Sequence, residues 1–325
     1  MRKYLSFIIC LLFILLASCK GTDLEVQKCN TIYSMDTMIN VTFYNTSNYK
    51  SHYSYIKNIY NEIADVASDY QSAFNNNGVK DLNENRELVI NDSLKDLLEA
   101  SLLMMEETNG YFNPFIGRLS KLWKEAINNN SVLDDEIISA ELEIINATSL
   151  SFEGNKAILH GDGNIDLGAI TKGYATQKVY EYLDNNNISN YLVSAGSSNV
   201  LLGSKNGNDF VVELEKPYVN DYGYIARLKG QNLAISTSSY KHQHNIIDEV
   251  VYHHIINPFT GKQSYYYDSV NVICDNSMKA DVFSTAIYNM DLETAISFSI
   301  EKNIKIILYK DNKILYQSEG CGIYE

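Results

Sequence analysis

The sequence predicts a mixed α+β fold, one catalytic unit of mixed sheets flanked by helices, and three observations carry that reading. Amphipathic helical stretches are interspersed with short β-branched runs, the two kinds do not alternate regularly, and no Gly-x-Gly-x-x-Gly follows a strand. A doubly wound dinucleotide-binding sheet needs both the alternation and the glycine turn, so that architecture is disfavoured. The 325-residue chain shows no linker: it has three prolines, no Gly/Ser tract and no internal repeat. Its 25 tyrosines argue against disorder.

The chain opens on Met1-Arg-Lys, an apolar run from Tyr4 to Ala17, and Leu16-Ala17-Ser18-Cys19. A charged start, a short apolar stretch and small residues before a cysteine compose a lipoprotein signal, with residues 1–18 removed and lipid on Cys19. The run is shorter than the ~20 residues of a spanning helix, and an uncleaved anchor is the alternative. Either reading puts the rest of the chain outside the cytoplasm, tethered to a membrane at the periplasmic face or the cell surface. Residues 19–30 then read as a short tether, and residues 31–325 as one unit with a sizeable core. Of five cysteines, Cys10 leaves with the signal, while Cys29, Cys274 and Cys321 remain without the spacing of a zinc site. A disulfide between Cys29 and Cys321 is an option in an oxidising compartment.

Within the unit, the first predicted strand is Ile39 to Tyr44 and the first predicted helix Tyr53 to Tyr70. Leu94, Leu97, Leu98, Leu102 and Met105 share one face of a helix predicted from Ser93 to Thr108, with Gly110 after its end. A helix from Lys172 to Asp184 precedes strands at Tyr191 to Ala195, Phe210 to Leu214, Leu233 to Ser236 and Ser269 to Cys274. A helix from Ser277 to Met290 follows, then a hairpin of Ile304 to Tyr309 and Lys313 to Gln317 around Asp311-Asn312. The asparagine triplets at Asn75, Asn128 and Asn185 read as surface turns between elements. A formal charge of −14 disfavours nucleic acid as a partner, because phosphate backbones call for a basic stripe. An anionic ligand would need local help from a metal, a lysine or backbone amides.

Three segments carry chemistry. In Met278-Lys-Ala-Asp281-Val-Phe-Ser-Thr285-Ala, a carboxylate and a hydroxyl stand four residues apart on one helix face, beside a stripe of Val282, Ala286 and Met290 that can be buried. Two hard oxygens suit Mg²⁺, which completes its shell with water and substrate phosphate. By itself such a pair is most often a solvated helix edge. In Ile165-Asp166-Leu-Gly168-Ala169-Ile-Thr-Lys172-Gly173, a strand ends in small residues and a helix begins near Lys172. Close backbone approach, helix-start amides and a lysine favour an anion there, and an ordinary tight turn is the alternative. In Tyr252-His253-His254-Ile255-Ile256-Asn257-Pro258, a histidine pair precedes a strand and a turn, and neighbours on a strand point to opposite faces, so at most one serves a site. Histidine titrates where proton transfer near neutral pH needs it, although a lone histidine is more often structural.

Together these segments resemble the FAD:protein FMN transferases, the ApbE-like flavin-trafficking lipoproteins. Met35-Asp-Thr37, Ser68-Asp-Tyr70, Phe112-Asn-Pro-Phe115-Ile116-Gly117, Asp166-Leu-Gly-Ala-Ile-Thr-Lys-Gly-Tyr-Ala175, Val193-Ser-Ala-Gly196, Ile235-Ser-Thr-Ser238, His254-Ile-Ile-Asn-Pro with Thr260-Gly261, and Ala280-Asp281 with Thr285 keep the family's order over nearly the whole mature chain. The resemblance implies an ApbE-like, T-fold-related architecture. It further implies Mg²⁺ held by the side chains of Asp281 and Thr285 and the carbonyl of Ala169. FAD would be contacted by Met35, Tyr70, Phe115, Ile116, Gly117, Asp166, Lys172 and Ile256, with His254 as general base. The implied reaction moves FMN from FAD onto a Thr or Ser hydroxyl of a partner protein, a membrane-associated redox subunit or FMN-binding domain, and releases AMP. Hydrolysis of FAD to FMN and AMP in the same site, and flavin binding without turnover, are the alternatives. The intact metal trio and His254 favour catalysis, since a pure binder needs neither Thr285 nor a base.

The sequence departs from the family pattern at four places: Asp36 and Ser197 replace glycines, and Asn257 and Gln177 replace aspartates. Asp36 would repel phosphate unless it points away. Asn257 suffices if the family's carboxylate orients neighbouring backbone, and activity falls if that carboxylate acts by its charge.

Overall fold

The computed structural model describes residues 27–68, 77–241 and 243–323. The signal peptide, Cys19 and Tyr70 lie outside these residues. In chain order the elements are β1 (Gln27–Ser34), β2 (Thr37–Tyr44), α1 (Tyr49–Ala67), α2 (Val79–Asn85), β3 (Glu87–Val89), α3 (Asp92–Glu107), α4 (Gly117–Asn128), α5 (Asp135–Ala147), β4 (Ser149–Glu153), β5 (Lys156–His160), α6 (Thr171–Asn185), β6 (Tyr191–Ala195) and β7 (Asn199–Leu202). They continue with β8 (Phe210–Glu215), β9 (Tyr224–Gly230), β10 (Leu233–Ser239), β11 (His244–Ile247), β12 (Val250–His253), β13 (Ser269–Cys274), α7 (Ser277–Tyr288), α8 (Leu292–Glu301), β14 (Lys305–Lys310) and β15 (Lys313–Gln317).

Eight strands form one antiparallel sheet in the order β1-β2-β6-β7-β10-β13-β14-β15. Both faces of this sheet are covered, which is why β13 is buried along nearly its whole length instead of alternating. On one face, Ile39, Val41, Phe43, Val193, Val270 and Val272 pack against Ile56, Tyr60 and Ile63 of α1, Ala175, Val179 and Leu183 of α6, and Val282, Phe283 and Ala286 of α7. On the other face, Tyr44, Leu202, Ile235, Ile273 and Ile307 meet Phe210, Leu214, Ala226 and Leu228 of the β8–β9 hairpin, together with Cys321. Burying each Val, Leu, Ile or Phe among them contributes about 1.5–3 kcal/mol.

Helices α6 and α7 lie unusually close. A Cβ on Gly173 would stand 2.4 Å from the Cβ of Asp281 and 2.7 Å from the carbonyl oxygen of Ser277. Helix α7 is capped by the Asn276 side chain, which accepts from the Lys279 amide at 2.9 Å, and Gln177 of α6 accepts from the Ser277 amide at 3.0 Å. Gln177 therefore serves the joint between the two helices as an uncharged acceptor.

The mixed α+β architecture expected from the sequence is the one observed. Several local readings are corrected. Helix α1 begins at Tyr49 and its last residue is Ala67. Strand β1 begins at Gln27, inside the stretch read as a tether, and pairs along its length with β2. The stretch before Lys172 is a loop, not the end of a strand; its ladder contact is a bridge between Ile116 and Asn164. Cys29 and Cys321 are free thiols: Cys29 is exposed on edge strand β1, and Cys321 is buried beyond β15 at the other end of the strand order. Asn130 and Asn187 follow α4 and α6 in the left-handed conformation that asparagine tolerates, as befits residues that close helices.

Candidate functional site

A groove of about 2470 Å³ runs between the β1–β2 turn, the α4 start, the loop before α6, the β6–β7 turn, β10, α7 and the segment after β12. That volume exceeds the ~300–1,000 Å³ of an ordinary small-ligand pocket and leaves room for an extended ligand beside a second molecule.

Asp281 and Thr285 of α7 both line it. The helix is buried almost all round, so Asp281 is not on a solvated edge: it is 6% exposed. Its Oδ2 accepts from the Gly173 amide at 2.8 Å, and its Oδ1 accepts from the Ser236 hydroxyl at 2.9 Å. The amide expected to greet an anion at the α6 start is thus occupied by a carboxylate of the protein itself. Burial pushes the Asp281 carboxyl above the usual range, opposed by Lys172, Ser236 and Gly173. Among the described residues no cation lies within ion-pair distance of it, and a carboxylate with two hydrogen bonds keeps lone pairs for a further partner. The Ser238 hydroxyl is hydrogen-bonded to that of Ser284 at 2.8 Å and stands 3.3 Å from the Thr285 hydroxyl. Ala169 and Lys172 line the same groove, as does Asp166, whose Oδ1 accepts from the Gly168 amide at 2.8 Å. Hard oxygens around a buried carboxylate with no cation beside it fit a small divalent ion. Among the described residues there is no cluster of three or more His, Cys, Asp or Glu side chains, which disfavours zinc.

The histidine segment is held differently. His253, at the end of β12, is 1% exposed. Its Nδ1 accepts from the Ile255 amide at 3.2 Å while Nε2 reaches the Ser264 carbonyl at 3.3 Å, which makes it the neutral tautomer with its proton on Nε2. Burial, and then the charge of His254, push its pKa down to about 3. His254 is exposed, lines the groove, and sets Nδ1 3.3 Å from the Gln243 carbonyl. The two neighbours therefore divide as strand alternation requires, and the groove receives His254. Ile256 lines the groove as well, and its carbonyl accepts from Asn289 at 3.2 Å; Asn289 also donates to the Thr285 carbonyl at 3.3 Å, tying this segment to α7. Asn257 accepts through Oδ1 from the Phe259 amide at 2.9 Å and donates to the Asn289 carbonyl at 3.2 Å. It orients backbone, and the N–H that reaches the Asn289 carbonyl is one an ionised carboxylate could not supply.

Met35 and Asp36 form the tight β1–β2 turn, each at φ 54°, and both line the groove. Aspartate tolerates this left-handed conformation, in which glycine carries no steric cost. Ile116 and Gly117 line the groove at the α4 start, where a Cβ on Gly117 would stand 2.7 Å from the Asn164 carbonyl oxygen. Phe115 does not: it is 3% exposed and belongs to the main core. Sequence reasoning missed Ser236, Ser238 and the Gly173 amide as partners of the α7 oxygens, since they reach Asp281 and Thr285 from elsewhere in the chain.

The profile of the ApbE family matches residues 35–308. The chain belongs to the ApbE family. It is similar to the FAD:protein FMN transferase of Buchnera aphidicola subsp. Baizongia pistaciae, 25% identical over 94% of this chain and 93% of that one. The FAD:protein FMN transferase of Vibrio cholerae serotype O1 is likewise 25% identical, over 95% of this chain and 93% of that one. In fold, the chain resembles the ApbE protein of Thermotoga maritima, with a TM-score of 0.80 at 22% identity over 90% of this chain and 97% of the other. It also resembles the flavin transferase ApbE from Vibrio cholerae, with a TM-score of 0.71 at 24% identity over 91% and 98%. All the groove residues of this ApbE-family chain except Ser34 lie within its matched sequence.

Proposed function

We propose that this ApbE-family chain is a Mg²⁺-dependent transferase that moves FMN from FAD onto a Thr or Ser hydroxyl of a partner protein and releases AMP. The observation that carries the reading is the buried Asp281 carboxylate, without an ion-pair partner among the described residues and facing the same groove as the Thr285 hydroxyl, Lys172 and the exposed His254. Asp281, Thr285 and the Ala169 carbonyl would hold the ion. When bound, Mg²⁺ would neutralise pyrophosphate oxygens and ease departure of the leaving phosphate. Lys172 adds a point charge for the same anion on a chain of net charge −14. Donation from Nδ1 to the Gln243 carbonyl puts the basic lone pair of His254 on Nε2. That nitrogen takes the proton as the acceptor oxygen attacks the phosphorus on the FMN side and the bond to AMP breaks.

The lipid anchor on Cys19 and an extracytoplasmic location belong to the same proposal and rest on the Leu16-Ala17-Ser18-Cys19 sequence. Among the described residues no helix is long and apolar enough to cross a membrane. The test is incubation of the mature chain with FAD and Mg²⁺, with and without an acceptor protein, following AMP release and in-gel flavin fluorescence. Acceptor-dependent AMP with a fluorescent acceptor band is the expected result. AMP without a labelled band would make the chain an FAD hydrolase, and neither product would make it a flavin binder.

A further inference from the structure

Strand β8 turns its edge to the groove. Consecutive residues from Val211 to Pro217 line it, whereas none of the Tyr224–Gly230 partner strand does. Side chains along a strand alternate between faces, so an unbroken run of wall residues means that the main chain at the edge faces the groove. Among the described residues β8 pairs with β9 alone. The outer edge of β9 is closed, because the Lys229 amide donates to the Gly322 carbonyl at 2.7 Å and Leu228 bridges Ile323. The exposed edge runs about 20 Å at ~3.3 Å per residue, the scale of an extended peptide.

The far end of this edge reaches the histidine segment. Glu215 pairs with Lys241 at 3.0 Å, and Gln243, two residues on, offers its carbonyl to His254. The neighbouring charges are matched internally, Glu213 with Arg227 at 2.8 Å and Lys216 with Asp221 at 3.0 Å, so an incoming segment meets no unpaired charge there. At the tip of the same hairpin, Val219 is 57% and Tyr222 95% exposed, apolar surface suited to a folded partner.

We propose that β8 is the docking edge for the acceptor protein, an extended segment of which adds to it as a further strand and so carries its hydroxyl residue to His254. The inference rests on the transferase reading. To test it, the mature chain with FAD and Mg²⁺ is offered a pool of random dodecapeptides, each with one central threonine, and those that gain covalent flavin fluorescence are kept. Adding the kept peptides should slow amide exchange in Val211 to Pro217. Val211→Asp should raise the peptide KM about ten-fold with kcat and FAD affinity unchanged, while Val250→Asp, on an exposed hairpin site off the groove, should leave all three unchanged. Labelling without protection of β8, or an unaltered KM in Val211→Asp, overturns the docking edge alone. AMP release with no peptide labelled by the unmodified chain overturns the transfer reading and the docking edge with it.

Discussion

Asp281 and His254 share one groove under opposite conditions. The carboxylate is buried, with each oxygen bonded to a different element: Oδ2 to the Gly173 amide of α6 and Oδ1 to Ser236 of β10. The histidine is exposed, leaning on the Gln243 carbonyl at 3.3 Å just ahead of the β11–β12 hairpin. Around an ion, donors must stay within tenths of an ångström, so packing fixes them in advance. The proposed role of His254 as a base for a hydroxyl on another protein needs access, and its support comes instead from its neighbour His253 and from Asn257 and Asn289 beneath the segment.

The sharpest way to break this contrast is Asp281→Ala, in which Mg²⁺-dependent AMP release from FAD should fall to background while circular dichroism retains the folded signal. Full activity in that variant removes the metal reading. Next comes His254→Ala, with an expected loss of about 10²–10⁴-fold in kcat and FAD still bound by fluorescence quenching. An unchanged rate would assign the proton to another group.

A third variant tests whether rigidity belongs to the carboxylate side. Gly173→Ala puts a methyl 2.4 Å from the Cβ of Asp281, and overpacking of this kind should cost about 1–3 kcal/mol in urea unfolding, with weakened Mg²⁺ affinity. A fourth effect is graded by pH. His253 is held neutral with a pKa pushed down to about 3 from 6.5, so the unfolded chain binds more protons between those values. Its contribution to stability is present above pH 6.5 and lost as pH falls through that window, by about 1.4 kcal/mol per pH unit. His253→Gln should flatten that part of the stability profile, measured by urea midpoints.

The oxygen pair on α7 was legible because helical periodicity is local: Asp281 and Thr285 are neighbours by their spacing alone. Ser236 and the Gly173 amide were not, because their contacts with Asp281 cross 45 and 108 residues of chain, and no pattern within a window records that. Strands with a strong β-branched signal, such as Tyr191–Ala195 and Ser269–Cys274, were placed to the residue. Strand β9 was overlooked, although Arg227 and Lys229 alternate with buried Ala226 and Leu228 as suits a strand covering the sheet with one side to solvent. Helix α5 was overlooked as well; its first turn is acidic but no side-chain cap marks its start. Phe115 was placed at the ligand by resemblance, whereas an aromatic side chain beside a turn is as readily swallowed by the core, which is where it lies.

The β1–β2 ladder has a consequence for reach. It runs unbroken from the Gln27–Tyr44 pair to the Met35–Asp36 turn at the groove, and eight strand residues measure about 27 Å. Gln27 stands at the end of this stiff ribbon opposite the groove. Under the proposed lipid anchor on Cys19, this ribbon of hydrogen bonds would lie between Gln27 and the groove as a stiff spacer.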